Sequence, residues 1–181
     1  MIMMPIGPLM IEHRLIERVI KVLPMMSKRM TDRGEIEPNL IDTTVDFIRM
    51  YADRTHHGKE EEILFRDLSK RNLGEEDQRL MKALVDDHVY ARQTVKELVA
   101  AKERYLGGDK GALETLVNMM ERLFNLYPEH IRKEDRVFFP ASMKYFSREE
   151  REVMLTEMWE FDRGMIHEKY KSVALTLEGR G

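Results

Sequence analysis

The chain contains no cysteine among its 181 residues. Disulfide bonds, thiolate nucleophiles, iron–sulfur clusters held by this chain and cysteine-ligated zinc sites are therefore excluded. Any metal ion bound by the protein would have to be held by nitrogen and oxygen atoms.

Long apolar runs and a strong charge of one sign are also missing. No run approaches the roughly 18 apolar residues that cross a bilayer, and the first residues lack the pattern of a signal peptide. Charged residues make up 35% of the chain, but the net charge is only −3. Since nothing favours binding to nucleic acid or anionic lipid, we expect a cytoplasmic protein with neither a membrane nor a nucleic acid as partner.

Strand patterns are nearly absent, because no segment alternates regularly and β-branched residues are dispersed among good helix formers. Gly, Pro, Asn and Asp clusters divide the chain into five predicted helices, at about 9–31, 39–72, 75–106, 111–140 and 147–177. Ser147 and Glu150 have the capping-box spacing that marks the start of the last helix. The short loops predict an all-α, up-down-up-down four-helix bundle over about 9–140, with an additional C-terminal fifth helix and a single domain over 1–181.

The most informative pattern in the chain is a ten-residue motif that occurs twice. Residues 56–65 (the first motif) and 130–139 (the second motif) both read His-x-x-Lys-Glu-acid-x-Ile/Val-x-Phe. Residues four apart on a helix lie on the same face, so each motif directs an imidazole and a carboxylate at one point. A solvated face of ion pairs could produce one such copy, but the same register in both copies favours a metal site.

Two single histidines extend this site. Four histidines, one on each helix of the predicted bundle, lie among apolar residues: His13, His56, His88 and His130. A lone core histidine is usually just hydrogen-bonded, but the helix lengths put these four at one height within roughly 5 Å. Burying them with two carboxylates and no cation would cost several kcal/mol. We therefore predict a metal site formed by His13, His56, Glu60, His88, His130 and Glu134.

The repeat also separates His56 from its neighbour His57. His57 has Glu61 at the same spacing, but its helical neighbours Asp53 and Arg54 place it on a polar flank. We expect His57 to face solvent or to support a ligand, and the substitution His57→Ala to leave metal binding intact.

The donor types indicate which metal would bind. Two His-x-x-x-Glu units and two single histidines are enough for two ions, with each carboxylate able to bridge. Nitrogen and oxygen donors with open positions suit iron or manganese, whereas a structural zinc needs only four ligands in a closed tetrahedron. We predict two iron ions, for which manganese or zinc could substitute.

These motifs resemble those of the hemerythrin-like (HHE cation-binding) family. The resemblance covers nearly the whole chain, from Gly-Pro-Leu-Met-Ile-Glu-His-Arg at residues 7–14 through the first motif to the second. It implies a four-helix bundle with a non-haem di-iron centre, usually oxo- or hydroxo-bridged, that binds O2 or in some members handles nitric oxide, peroxide or iron–sulfur repair. It also implies that the four histidines are terminal ligands and that Glu60 and Glu134 bridge.

The chain departs from the O2-carrying hemerythrins at two positions. Those carriers have His-x-x-x-His on the third helix, whereas Leu84 and Arg92 flank His88 here, so one nitrogen ligand is missing. They also end with His-x-x-x-x-Asp; Asp135 stands at that spacing, but the repeat favours Glu134. Fewer protein ligands favour reactivity with O2, nitric oxide or peroxide over simple O2 carriage.

Four residues are candidates for the missing ligand: His167, Tyr51, Tyr90 and Tyr127. Surface exposure of the histidine and core packing of the tyrosines are the commoner roles. Asp135 and His57 also stay open as additional ligands.

The favoured function is a non-haem di-iron protein that binds or reacts with a small diatomic or peroxide ligand, in stress response or sensing. The alternative is an iron-binding module that stores, donates or senses iron through a partner protein; a metal-free helical interaction module is a third hypothesis. The sequence shows no separate acid–base pair, so it makes no prediction of enzymatic catalysis, and it indicates no particular protein partner.

Overall fold

The computed structural model describes residues 4–178, except for the side chains of residues 168, 170, 172, 173 and 175–178, and it is helical throughout that range apart from short connections. Residues 1–3 and 179–181 of the predicted domain lie outside it. The α-helices are α1 (Ile6–Ile20), α2 (Leu23–Arg33), α3 (Pro38–Phe47), α4 (Arg66–Leu68), α5 (Glu75–Leu106), α6 (Ala112–Lys133), α7 (Phe139–Ser142) and α8 (Arg148–Glu178). Three π-helical segments and one 3₁₀ turn join some of them: π1 (Ile48–His57), π2 (Glu60–Phe65), π3 (Glu134–Phe138) and Met143–Tyr145.

These segments form five rods, which confirms the predicted all-α fold. The first rod is α1 with α2, the second runs over 38–68, the third is α5, the fourth runs over 112–142 and the fifth is α8. The first rod is broken rather than continuous as predicted. Pro24, in the first turn of α2, has no N–H and its ring would clash with the carbonyl four residues earlier, so α1 ends at Ile20.

The first four rods pack side by side as a bundle. Helices α1 and α2 contact α6, α1 also contacts π1, and α5 contacts both α6 and the second rod. The fifth rod lies against π1 and π2. Within residues 4–178, no helix combines the length and apolar character needed to cross a bilayer.

The bundle interior contains two apolar clusters with a polar layer between them. One cluster includes Ile16, Ala52, Val95 and Tyr127, and the other includes Leu9, Ile63, Leu84, Phe138 and Met158. On each of the four bundle rods, buried histidine or glutamate side chains occupy the positions between the two clusters. Burial of apolar surface on both sides stabilises the bundle and keeps water away from this polar layer.

The fifth rod begins at the predicted capping box. The Ser147 amide donates to the Glu150 carboxylate over 2.8 Å, and the Glu150 amide donates to the Ser147 hydroxyl over 3.2 Å. Ser147→Ala should lower the free energy of unfolding by about 1 kcal/mol, because a free N–H at the start of α8 loses its acceptor. Urea denaturation measures this, and Ser147→Asp, which keeps an acceptor, should lose much less. Equal losses in both variants would contradict the capping role.

Candidate metal centre

Both motifs lie in π-helical backbone where they enter the polar layer. His56 and His57 end π1, Glu60 begins π2 and Glu134 begins π3. Hydrogen bonds in a π-helix span five residues instead of four, as in the bond from the Gly58 amide to the carbonyl five residues earlier. The wider turn changes where successive side chains point, and such segments often accompany functional sites.

Four of the predicted residues form one compact group: His13, His56, Glu60 and Glu134. We call it the two-histidine group. The His13 and His56 Nε2 atoms are 2.8 Å apart, and a Glu134 oxygen lies 3.1 Å from His13 Nε2. A Glu60 oxygen lies 3.5 Å from His56 Nε2. All four side chains are at most 1% exposed, so their donor atoms face one another in a dry interior.

A second group, the three-histidine group, comprises His57, Glu60, His88 and His130. A Glu60 oxygen lies 3.3 Å from His88 Nε2, and the rings of His57 and His88 stack with centroids 3.8 Å apart. Glu134 approaches this group as well, with one oxygen 3.2 Å from His130 Nε2. Glu60 therefore belongs to both groups, and Glu134 lies between them. All six predicted residues come together, and their role as ligands remains a prediction.

The expected position of His57 on a polar flank is wrong. His57 is 1% exposed, its Nε2 has no hydrogen-bond partner among the described side chains, and its Nδ1 lies 3.3 Å from Asp53. A regular α-helical register misplaces this residue because the backbone there is π-helical. The second rod thus brings into the layer the imidazole nitrogen that the third helix lacks, and its role as a ligand remains a prediction.

Each histidine of the two groups has a carboxylate at its outer nitrogen. The Nδ1–carboxylate distances are 2.7 Å for His13–Asp135, 2.9 Å for His56–Glu12, 3.3 Å for His57–Asp53, 2.7 Å for His88–Glu61 and 3.2 Å for His130–Asp87. An Nδ1–H that donates outward leaves Nε2 as the inward lone pair, which is the usual support of a metal-binding histidine. The structure therefore places the Glu134 carboxylate among the inward donor atoms, whereas the Asp135 carboxylate accepts from His13 Nδ1.

The lysine of each motif holds one of these supporting carboxylates. Lys59 donates to Glu12 and, over 2.6 Å, to Asp162 of α8, while Lys133 donates to Asp87. Lys59 is fully buried, and it connects the fifth rod to the carboxylate that orients a histidine of the centre. The Lys-Glu-acid sequence of the motif thus supplies an anchor, an inward carboxylate and an outward carboxylate.

The other candidate ligands lie outside the two groups. His167 on α8 is exposed, and so is Tyr90 at 44%. Tyr51 stacks on Phe47 with centroids 5.1 Å apart. Tyr127 is buried and its ring lies nearly parallel to that of His57, at a centroid distance of 6.3 Å. Of these four residues, Tyr127 is the one that borders the centre.

The two helical hairpins contribute equivalent residues. His13 and His56 are 43 residues apart in the first hairpin (the first and second rods), and His88 and His130 are 42 apart in the second hairpin (the third and fourth rods). An acidic residue directly precedes each single histidine and accepts from the motif histidine of the same hairpin. This equivalence explains why the motif occurs twice.

Comparison with known families identifies this arrangement. The sequence matches the hemerythrin HHE cation binding domain over residues 4–142 and, overlapping this, over residues 79–167. The chain belongs to the hemerythrin HHE cation-binding family. The predicted resemblance and the bundle fold are thereby confirmed for this HHE-family chain. Comparison with curated proteins and with solved structures gives no significant match.

The donor atoms of this HHE-family chain fit a bound cation. Seven buried donor atoms have no hydrogen-bond partner in the part of the chain that the structure describes: the Nε2 atoms of His57, His88 and His130 and the four carboxylate oxygens of Glu60 and Glu134. Each buried polar atom left unpaired costs about 1–3 kcal/mol. Burial raises the pKa of the Glu60 carboxyl, but His56 and His88 outweigh burial and hold it well below its usual range. An ionised carboxylate among inward lone pairs is the donor set that metal ions bind.

The metal-free protein should lose stability as the pH rises from about 6.5 to 9. Burial lowers the pKa of His13, but Asp135 and Glu134 outweigh it and raise the pKa to about 9; Glu60 and Glu61 do the same for His88. Because these folded-state pKa values lie above the unfolded value, the two protonated histidines contribute their full stabilisation below pH 6.5. This contribution to the free energy of unfolding is lost as the pH rises through 9. Urea denaturation of chelator-treated protein measures it.

Loading with metal should remove this loss, since ligation requires the deprotonated imidazole and metal binding then improves as the pH rises. An unfolding free energy of the chelated protein that stays constant or increases between pH 6.5 and 9 would show that these histidines are not paired with carboxylates.

Proposed function

We propose that this chain is a non-haem di-iron protein whose centre binds and reacts with small oxidants such as O2, nitric oxide or peroxide. One observation carries the proposal: five imidazoles and two carboxylates converge in two buried groups that share Glu60. Nitrogen and oxygen donors without sulfur suit iron or manganese. The proposed ligands are His13, His56, His57, Glu60, His88, His130 and Glu134.

The grouping supports two ions rather than one. Seven side chains exceed the four that a structural zinc takes, and they divide into a group with three imidazoles and a group with two. Glu60 and Glu134 lie between the groups, where a carboxylate can serve both. Iron bound there would supply the capacity to exchange electrons with a small oxidant.

The surrounding residues position the ligands and exclude water. Five outward carboxylates fix the ring orientations, as described above, and the motif lysines hold two of these carboxylates in place. The two apolar clusters close the polar layer from both ends of the bundle. A low-dielectric surrounding strengthens the interaction of the anionic carboxylates with a cation.

Metal analysis combined with visible absorption tests this function. Protein produced with iron should contain about two iron ions per chain, and its absorption under anaerobic conditions should change on addition of O2, nitric oxide or peroxide. Absence of stoichiometric metal would refute the proposal and favour a metal-free helical module. Two iron ions with a spectrum unchanged by all three oxidants would refute the oxidant chemistry alone.

One observation favours iron sensing as a second candidate function. A continuous series of contacts links a proposed ligand to the fifth rod, from His56 through Glu12 and Lys59 to Asp162. A change at the centre could therefore alter how α8 docks. Sensing predicts iron that chelators remove easily and faster proteolysis of α8 after removal, whereas tightly held iron and an unchanged α8 support oxidant chemistry.

A further inference from the structure

The fifth rod packs on the first motif. Helix α8 contacts π1 and π2, which contain most of that motif. Lys59 of the first motif is fully buried, whereas the side chain of its counterpart in the second motif, Lys133, is 30% exposed. Helix α8 therefore closes over the hairpin that supplies both histidines of the two-histidine group.

The first motif also has room for this helix where the second does not. A Cβ atom on Gly58 would lie 2.8 Å from Cζ of Phe161 on α8, which is closer than two carbon atoms pack. The second motif has Arg132 at the corresponding position, and its side chain is exposed. Gly58 thus allows α8 to lie directly against the backbone next to Lys59.

Lys59 lies between two carboxylates, one from the bundle and one from α8. Its ammonium donates to Glu12 and, over 2.6 Å, to Asp162. Glu12 in turn accepts from His56 Nδ1 over 2.9 Å. Buried lysines need such partners, and an ammonium shared by two carboxylates neutralises each of them only in part. Glu12 therefore keeps more negative charge for the His56 ring than it would as the sole partner of Lys59.

Asp162 occupies a repeated position in the sequence. Glu12, Asp87 and Asp162 follow one another at a constant interval of 75 residues. The first two directly precede single histidines and accept from motif histidines. Asp162 instead precedes Arg163, which is exposed. Helix α8 thus repeats the supporting acid of α1 and α5 without their histidine, which favours support rather than ligation as its role.

We propose that Asp162 is a positioning residue for the two-histidine group and sets how tightly that group holds its ion. It acts on the His56 ring through Lys59 and Glu12. Without Asp162, the ammonium would bind Glu12 alone and the imidazole would lose part of its anionic support. A less basic imidazole is a weaker ligand, and loss of a nearby negative charge disfavours the ferric state. The inference rests on the proposed function, because it presumes iron at this group, but unlike iron sensing it requires no movement of α8.

Release of iron from the oxidised, loaded protein to a chelator tests this role. Asp162→Asn should speed the release of one of the two ions about tenfold, as is typical of substitutions around metal ligands, and leave the other ion at its original rate. The reduction potential of the faster ion should rise, by about 59 mV if only the ferric affinity falls tenfold. The Asp162 side chain is 38% exposed, so the variant should fold. Asp162→Glu, which keeps the charge, should largely restore both values.

Glu157→Gln is the matched control, because it breaks another ion pair between α8 and the second rod. Glu157 accepts from Arg66 over 2.6 and 2.9 Å, and among the described hydrogen bonds neither residue reaches a histidine of the centre. This variant should keep both release rates and the potential. Unchanged release in Asp162→Asn, equal acceleration of both ions, or the same effect in Glu157→Gln would overturn the inference, since α8 would then only stabilise the fold.

A double-mutant cycle provides a readout that needs no metal. In the metal-free protein, the losses of unfolding free energy in Asp162→Asn and Glu12→Gln should be non-additive, because both carboxylates bind Lys59. The same cycle with Glu157→Gln in place of Asp162→Asn should be additive. Additive losses for Asp162 and Glu12 would overturn the connection through Lys59. Unmodified protein that binds no iron would refute the proposed function itself, so the two failures are distinguishable.

Discussion

Glu60→Ala is expected to reduce the iron content from about two ions per chain to nearly none. Glu60 belongs to both groups of converging donors and is fully buried. Its removal takes a carboxylate from each group and leaves Glu134 as the remaining inward carboxylate among five histidines. Metal analysis after iron loading measures the effect, with thermal unfolding to confirm that the variant is folded.

Glu62→Ala is the matched control, because Glu62 belongs to the same acidic run but is exposed. It should keep both ions. Glu60→Gln separates charge from shape, since the amide has nearly the same size but is a weaker metal ligand; we expect substantial metal loss here as well. A folded Glu60→Ala protein that still binds two ions would exclude this carboxylate as a shared ligand.

His57→Ala is expected to reduce the iron content from about two ions per chain to about one. This substitution removes one of the three imidazoles of the three-histidine group and leaves the two-histidine group complete. The expectation reverses the one drawn from the sequence pattern, in which His57 faced away from the metal. Iron analysis and the visible spectrum together distinguish a half-loaded centre from a full one.

His167→Ala serves as the control for this second substitution, since His167 is an exposed histidine on α8. It should bind two ions. If His57→Ala also bound two ions with an unaltered spectrum, His57 would be a buried histidine beside the centre and not a ligand.

Helical periodicity is sufficient to place most of the centre. A histidine and a glutamate four residues apart share a face in α-helical and nearly so in π-helical backbone, so His56 with Glu60 and His130 with Glu134 could be predicted. The burial of His57 could not, because it depends on a local change from four-residue to five-residue hydrogen bonding that the residue pattern does not reveal. Pro24 was a readable signal for the break in the first rod.

Four of the five supporting carboxylates were harder to predict because they act across rods, whereas Asp53 lies four residues before His57 in the same segment. Asp135 on the fourth rod supports His13 on the first, and Glu61 on the second supports His88 on the third. No pattern within one helix identifies such partners. The sequence does contain one signal for Glu12 and Asp87, because each directly precedes a single histidine.

The equivalence of the two hairpins makes the centre resemble a twofold-symmetric interface contained within one chain, of the kind that a homodimer presents. Perfect symmetry would give two identical ion positions. It is broken at one ligand position, because the counterpart of His57 in the second motif is Ile131, which packs in the apolar core. With the proposed ligands, the two ions would differ in their nitrogen donors and hence in affinity and reduction potential. A single histidine thus makes the two ion positions of an otherwise symmetric bundle inequivalent.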